Sequence, residues 1–162
     1  GRFSPEKQPE VFARLSQFDD VNSYIAWGDG VLLADLRKRY PHVIFKGQSM
    51  NQKEIYESFD ILVLTSLFEN CPMVILEARR LGIPCVAPRV GGIPEVVTHG
   101  IDGILYDDYS PQSIHRAITQ IQASYNLFSA QCFQSIQRYS HKTLYHKWMT
   151  LFSSSDTNKL HK

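Results

Sequence analysis

The sequence predicts an α/β fold with a doubly wound parallel sheet, and three observations carry that prediction. Short apolar segments of strand length alternate with segments of helical period. Ile61–Thr65 (ILVLT) is a near-continuous apolar run, the pattern of a buried parallel strand. Glycine or proline marks most junctions between the two kinds of segment, as at Gly28-Asp29-Gly30, Pro41, Gly47 and Gly82.

Gln8–Gln17 reads as a helix with Val11, Phe12 and Leu15 on one face. Val21–Trp27 is the first strand, stopped by Gly28-Asp29-Gly30. Val31–Tyr40 is helical with Leu32, Leu33 and Leu36 inward, and Pro41 ends it. His42–Lys46 is a short strand, Gln52–Phe59 a helix grouping Ile55, Tyr56 and Phe59, and Ile61–Thr65 the next strand. Pro72–Leu81 is a helix closed by Gly82, Pro84–Ala87 a strand, Ile93–Thr98 a short helix and Gly103–Tyr106 the last strand. Ser110-Pro111 opens a helix, because serine caps well and proline suits the first helical position. Its inward face is Ile114, Ala117, Ile118 and Ile121. Helical stretches follow near Leu127–Tyr139 and Thr143–Phe152, and the polar tail Ser153–Lys162 reads as disordered. The domain is thus expected over residues 1–152. In such a fold a strand is expected to lead into the turn at Gly1-Arg2; either the chain is cut there or the sheet lacks that strand.

The composition narrows the class. A chain of 162 residues fits one domain with a sizeable core. A net charge of +1 offers no field for nucleic acid or an anionic membrane, so bound phosphate needs a local site. Cys71, Cys85 and Cys132 have no zinc spacing and suit a reduced, cytoplasmic compartment. No apolar run approaches the roughly 20 residues that span a bilayer.

Ligands bind such sheets beyond the carboxyl ends of the strands, so residues just after strands are the candidates. Four segments qualify: Gly28–Gly30, Gly47–Ser49, Ser66–Pro72 and Arg89–Gly92. The strongest stretch is Ser66–Gly92. Glu69 lies in the loop after the apolar strand, and Glu77 eight positions later in the following helix, between Met73, Val74 and Leu81. A carboxylate in an apolar arc needs a partner. Two partners are open for Glu77: the adjacent hydroxyls of a ribose, or Arg80 three residues on. Glu69 either orients a sugar near a cationic transition state or is a solvated loop residue. With Pro72 at the first helical position, the free N–H groups of Met73 and Val74 either favour an anion or belong to a helix start that is simply capped or solvated. Arg2 and Lys7 flank the turn GRFSPEK and either clamp a diphosphate or are surface charges. Gly91-Gly92 allows close ligand approach or simply makes a turn. No Asp-x-Asp, GxxxxGK[ST] or GxGxxG is present, and no histidine has ligand spacing.

In order along the chain, GRFSPEK, Gly28-Asp29-Gly30, HVIFKGQ, IYESFDILVL, ENCPMVILEA, GIPCVAPRVGGIPEVV and GIDGILY resemble the C-terminal, donor-binding domain of the family 4 retaining glycosyltransferases. That resemblance implies the GT-B fold, whose halves are Rossmann-like, with this chain as the C-terminal half and an N-terminal acceptor domain absent from it. It implies transfer of a sugar from a nucleoside-diphosphate sugar with retained anomeric configuration, UDP- or GDP-sugars being favoured, with no cofactor and no metal. Arg2 and Lys7 would hold the diphosphate, Glu77 the ribose, and Glu69 would stand by the reacting centre. Met73 and Val74 would offer backbone N–H groups, Asn70-Cys71-Pro72 would form the donor-sugar loop, and Lys46, Gly47 and Gln48 the nucleobase loop. Many family members have glycine-aromatic-glycine where this chain has Asn70-Cys71-Pro72, and Pro72 removes one backbone donor. Cys71 is expected to be a small packing residue, and Arg89 after its strand is unusual. Tyr145, Trp148, Met149 and Phe152 are either an apolar face meant for the acceptor domain or part of this domain's core. The resemblance further implies a saccharide or lipid-linked acceptor, surface-polysaccharide, lipopolysaccharide or glycolipid synthesis, no nucleic acid, and peripheral attachment at the inner face of a membrane. The alternative is a non-catalytic nucleotide-sugar-binding module of the same fold.

Overall fold

The computed structural model describes residues 1–18, 22–140, 143, 145–146 and 148–150. The expected tail disorder of 153–162, and the core or interface role of Phe152, lie outside them. Among the described residues up to Ile136, five parallel strands and seven helices follow one another in the expected order. They are α1 (Pro9–Leu15), β1 (Ile25–Trp27), α2 (Leu33–Arg39), β2 (Ile44–Gly47), α3 (Gln52–Tyr56), β3 (Leu62–Val63), α4 (Met73–Arg80), β4 (Cys85–Pro88), α5 (Ile93–Val96), β5 (Gly103–Tyr106), α6 (Pro111–Ala123) and α7 (Tyr125–Ile136). A 3-10 turn at Pro5–Lys7 precedes α1.

The strands form two groups, β1–β2 and β3–β4–β5, rather than one sheet. β1 is shorter than its apolar pattern because its partner begins only at Ile44. β3 differs from expectation too: Ile61–Leu64 are only partly buried, because one edge faces a cleft. The fully buried strands are β4 and β5. Alternate residues of β4 serve opposite faces. Val86 joins Leu15, Ile104, Ile114 and Ile118 under α1 and α6, while Cys85 and Ala87 join Ile75, Ile93 and Leu105 under α4 and α5. Helices therefore cover both faces, as the doubly wound pattern requires.

Local chemistry fixes several boundaries. Ser110 caps α6 by accepting the Ser113 N–H at 3.3 Å, with Pro111 behind it, and the expected face Ile114, Ala117, Ile118 and Ile121 is buried. Gly82, at φ 74°, closes α4 in the left-handed region. α4 turns its side chains differently from the sequence reading. Its buried residues are Ile75, Ala78 and Arg79, whereas Met73, Val74 and Leu81 are exposed. The buried position of Arg79 is met by Asp102 at 2.6 Å, with further bonds to the Val96 carbonyl and Ser135. Through Val96 and Ser135, Arg79 ties α4 to α5 and α7.

The turn at the chain's start runs parallel to the segment after β1. Arg2 forms a single parallel bridge with Asp29, and the Phe3 N–H donates to the Asp29 carbonyl at 2.8 Å. Among the described residues no strand joins the two groups. No described helix is long and apolar enough to cross a membrane. Thr143, Tyr145, His146 and Trp148–Thr150 are helical, and Tyr145, Trp148 and Met149 are exposed, so these three are not core.

Candidate active site

One cleft of about 890 Å³ runs between β1 and β3, lined along both strands from Tyr24 to Trp27 and from Ile61 to Ser66. Its polar lining includes Arg2, Lys7, Ser66, Glu69 and Glu77, and its apolar lining includes Phe12, Leu62 and Ile118.

Glu69 is the most constrained of these groups. Lys7 Nζ lies 2.7 Å from its Oε1, and the Ser66 hydroxyl donates to the same oxygen at 2.7 Å. The Glu69 side chain keeps 14% of its surface and that of Lys7 32%, so solvent screens this pair less than a surface bridge. Glu69 Oε2 has no protein donor among the described residues. Backbone contacts hold the loop from two sides. The Leu67 N–H donates to the Glu6 carbonyl at 2.8 Å, and the Gly92 N–H to the Glu69 carbonyl at 3.2 Å. The Thr65 hydroxyl lies 2.9 and 3.0 Å from the carbonyls of Lys7 and Gln8, so the basic turn and the acidic loop are pinned together.

Gly91 and Gly92 serve this packing. A Cβ on Gly91 would sit 1.6 Å from the Glu69 carbonyl oxygen, and one on Gly92 1.9 Å from that of Asn70. Only glycine lets the two loops touch here, and Gly91 also adopts φ 51°.

Pro72 is the N-cap of α4, not its first helical residue, and its carbonyl accepts the Ile75 N–H at 3.0 Å. The N–H groups of Met73 and Val74 have no acceptor among the described residues and open beside the cleft. One turn further on, Glu77 accepts a hydrogen bond from the Tyr56 hydroxyl of α3. Among the described residues it makes no ion pair with Arg80, so the local-pair reading does not hold.

Residues 2–124 match the family described as glycosyl transferases group 1. The chain belongs to that family. Over 151 residues this group 1 chain is 28% identical to an Escherichia coli UDP-Gal:alpha-D-GlcNAc-diphosphoundecaprenol alpha-1,3-galactosyltransferase, covering 84% of the chain and 39% of that protein. It is 34% identical over 110 residues to a GDP-mannose-dependent alpha-mannosyltransferase of Corynebacterium glutamicum, covering 66% of the chain and 26% of the relative. The structure superposes on Anabaena HepE, crystallised with UDP, at a TM-score of 0.81 and 23% identity, over 95% of this chain and 47% of that one. It also superposes on the sucrose-phosphate synthase of Thermosynechococcus elongatus at 0.77 and 20%, over 96% and 45%. The fold is that of the GT-B glycosyltransferases. The chain spans under half the length of these relatives.

Of the residues anticipated for this glycosyltransferase chain, Arg2, Lys7, Glu69, Pro72, Met73, Val74 and Glu77 line the one cleft. Asn70 and Cys71 do not, nor do Lys46, Gly47 and Gln48, although β2 reaches the cleft through Phe45. Gly47 instead accepts the Gly28 N–H at 2.7 Å. Cys71 is exposed and packs no core, since the loop around it is held by backbone contacts. Arg89 lies 3.4 Å from Asp107, an exposed pair joining the ends of β4 and β5, away from the cleft. Ser66, inside the candidate segment Ser66–Pro72 but with no role of its own there, and Tyr56 are further residues of the site. Ser66 directly follows the apolar strand, which was a usable signal, whereas the Tyr56 hydroxyl was hidden in an apolar helical pattern.

Proposed function

We propose that this chain is the donor-binding half of a retaining glycosyltransferase that takes a nucleoside-diphosphate sugar. The observation that carries the reading is the convergence of Arg2, Lys7, Glu69, Glu77 and the start of α4 on one cleft, in a chain of the group 1 family. Relatives named for UDP-galactose and GDP-mannose, and a structural neighbour crystallised with UDP, support the donor class.

In this reading Arg2 and Lys7 meet the diphosphate, and the free N–H groups of Met73 and Val74 add fixed donors. Lys7 keeps its bond to Glu69, since an ammonium has three donors. Glu77 receives the ribose hydroxyls, and Glu69 stands by the sugar with one carboxylate oxygen free. The bond between the anomeric carbon and the diphosphate oxygen breaks, a bond to an acceptor oxygen forms on the same face, and the acceptor proton passes to the departing diphosphate. Cationic groups and helix-start donors stabilise the developing phosphate charge without a required metal. The acceptor, a saccharide or lipid-linked saccharide, is held by a further domain of the whole protein, at the inner membrane surface in surface-glycan synthesis.

Calorimetric titration with UDP, GDP and ADP, without metal, tests the reading. One of the three binds saturably, and Glu77→Ala weakens it about tenfold or more, the loss of a charge-assisted hydrogen-bond pair. Absence of binding by every nucleotide sinks the proposal.

A further inference from the structure

Glu77 projects from a part of α4 that does nothing to hold it. Its helical neighbours Met73 and Leu81 are exposed, and Arg80 is not its partner. A free glutamate samples many rotamers, and fixing one upon binding costs conformational entropy. Among the described residues, the group that restrains this carboxylate comes from another element. The Tyr56 hydroxyl, on α3, donates to Glu77 Oε2.

Tyr56 is itself immobile. Its ring is 7% exposed, packs with Ala78 and Ile83, and meets the Phe59 ring edge-on at 5.8 Å. Burial pushes its hydroxyl pKa up, and the Glu77 carboxylate pushes it further the same way, so the hydroxyl stays a donor across the working pH range. Both residues line the cleft. A tyrosine hydroxyl has one proton, spent here on Oε2. That bond anchors Oε2 and leaves Oε1 and the second lone pair of Oε2 as two adjacent acceptors.

We propose that Tyr56 is the positioning residue that makes Glu77 selective for a vicinal diol, so that the cleft distinguishes ribonucleotides from deoxyribonucleotides. This rests on Glu77 being the ribose ligand. Two neighbouring hydroxyl donors match two fixed neighbouring acceptors. A 2′-deoxy ligand leaves one acceptor without its donor, which a freely turning carboxylate tolerates and a fixed one does not.

The test titrates wild type, Tyr56→Phe, Glu77→Ala and the double variant with UDP, GDP and ADP, each beside its 2′-deoxy counterpart. Wild type prefers the ribonucleotide by about tenfold, as expected for one lost hydrogen bond to a charged group. Tyr56→Phe keeps the ring and its packing, so the thermal midpoint stays near that of wild type. It removes most of the ribo/deoxy preference while 2′-deoxy affinity barely moves. Adding it to Glu77→Ala changes nothing more. A Tyr56→Phe protein that retains the wild-type preference overturns the inference, as does one that loses affinity equally for both sugars. If wild type binds ribonucleotides, Glu77→Ala weakens them and Tyr56→Phe does not, the donor-site reading stands and this inference alone falls. If wild type binds none, both fall.

Discussion

Glu69 is held by contacts from three parts of the chain: Lys7 and Ser66 on its side chain, and Gly92 on its carbonyl. The order Glu69, Pro72, Glu77 was legible because these residues sit on one loop and one helix, where spacing alone fixes their placement. The partners were not, since Tyr56 lies 21 residues and Lys7 62 residues from the carboxylates they hold. The role of Gly91 was equally hidden, because it depends on a loop more than twenty residues earlier in the chain. It makes a direct prediction. Gly91→Ala places a methyl group against the Glu69 carbonyl and forces alanine into the left-handed region. The conformational cost alone is about 1–2 kcal/mol, and the clash adds to it. Gly100→Ala is the control, since Gly100 has φ 77° but nothing within 4 Å of its missing Cβ. Urea unfolding should show a clearly larger loss for Gly91→Ala, accompanied by weaker nucleotide binding that Gly100→Ala does not share. Equal losses in the two variants would mean that the loops do not press together as described.

Between elements, side-chain bridges supply what strand pairing does not. Glu10 on α1 accepts from Arg14 at 2.6 Å and, across to α2, from Arg39 at 2.5 Å, while Arg39 also reaches Asp35 at 2.9 Å. Both helices were readable from their apolar faces, but their charged faces gave no hint that they share a carboxylate. The Arg39 and then the Arg14 hydrogen bonds hold Glu10 down to about 2, against 4.5 for a free glutamate. The sign follows from linkage. The unfolded chain takes up this proton first as pH falls, so the stabilisation is whole above about 4.5 and is lost towards about 2. Glu10 is one-third exposed, so the network is worth about 1 kcal/mol or less per pair. Glu10→Gln should therefore lower stability slightly at neutral pH and flatten the acid limb of a stability–pH profile between about 4.5 and 2. An acid limb identical to that of wild type would show that Glu10 is not bound as described.

Across the whole molecule the division of the strands into two groups decides where motion and ligand effects concentrate. The alternation of elements, and the two covered faces of the sheet, were legible because the apolar periods of helices and strands are local properties. The division was legible only as one of two alternatives, a sheet lacking the strand expected to lead into Gly1-Arg2, because pairing between β1 and β3 depends on residues far apart in the chain. β4 is bonded on both edges and buried throughout, whereas among the described residues β1 and β2 pair only with each other. Local opening follows that difference, since amides with few buried neighbours exchange through small fluctuations and central-strand amides only through global unfolding. Hydrogen exchange should leave Val86 and Ala87 among the slowest amides and Ala26 and Phe45 far faster. Residues of both groups line the cleft, Ile25 and Trp27 from one side and Leu62 and Leu64 from the other. Saturating nucleoside diphosphate should thus slow exchange in β1 and β3 together while β4 barely changes. Protection of β3 alone would confine the ligand to the α4 side of the cleft, and equal protection of β2 and β4 in the free protein would mean that the two groups open as one sheet.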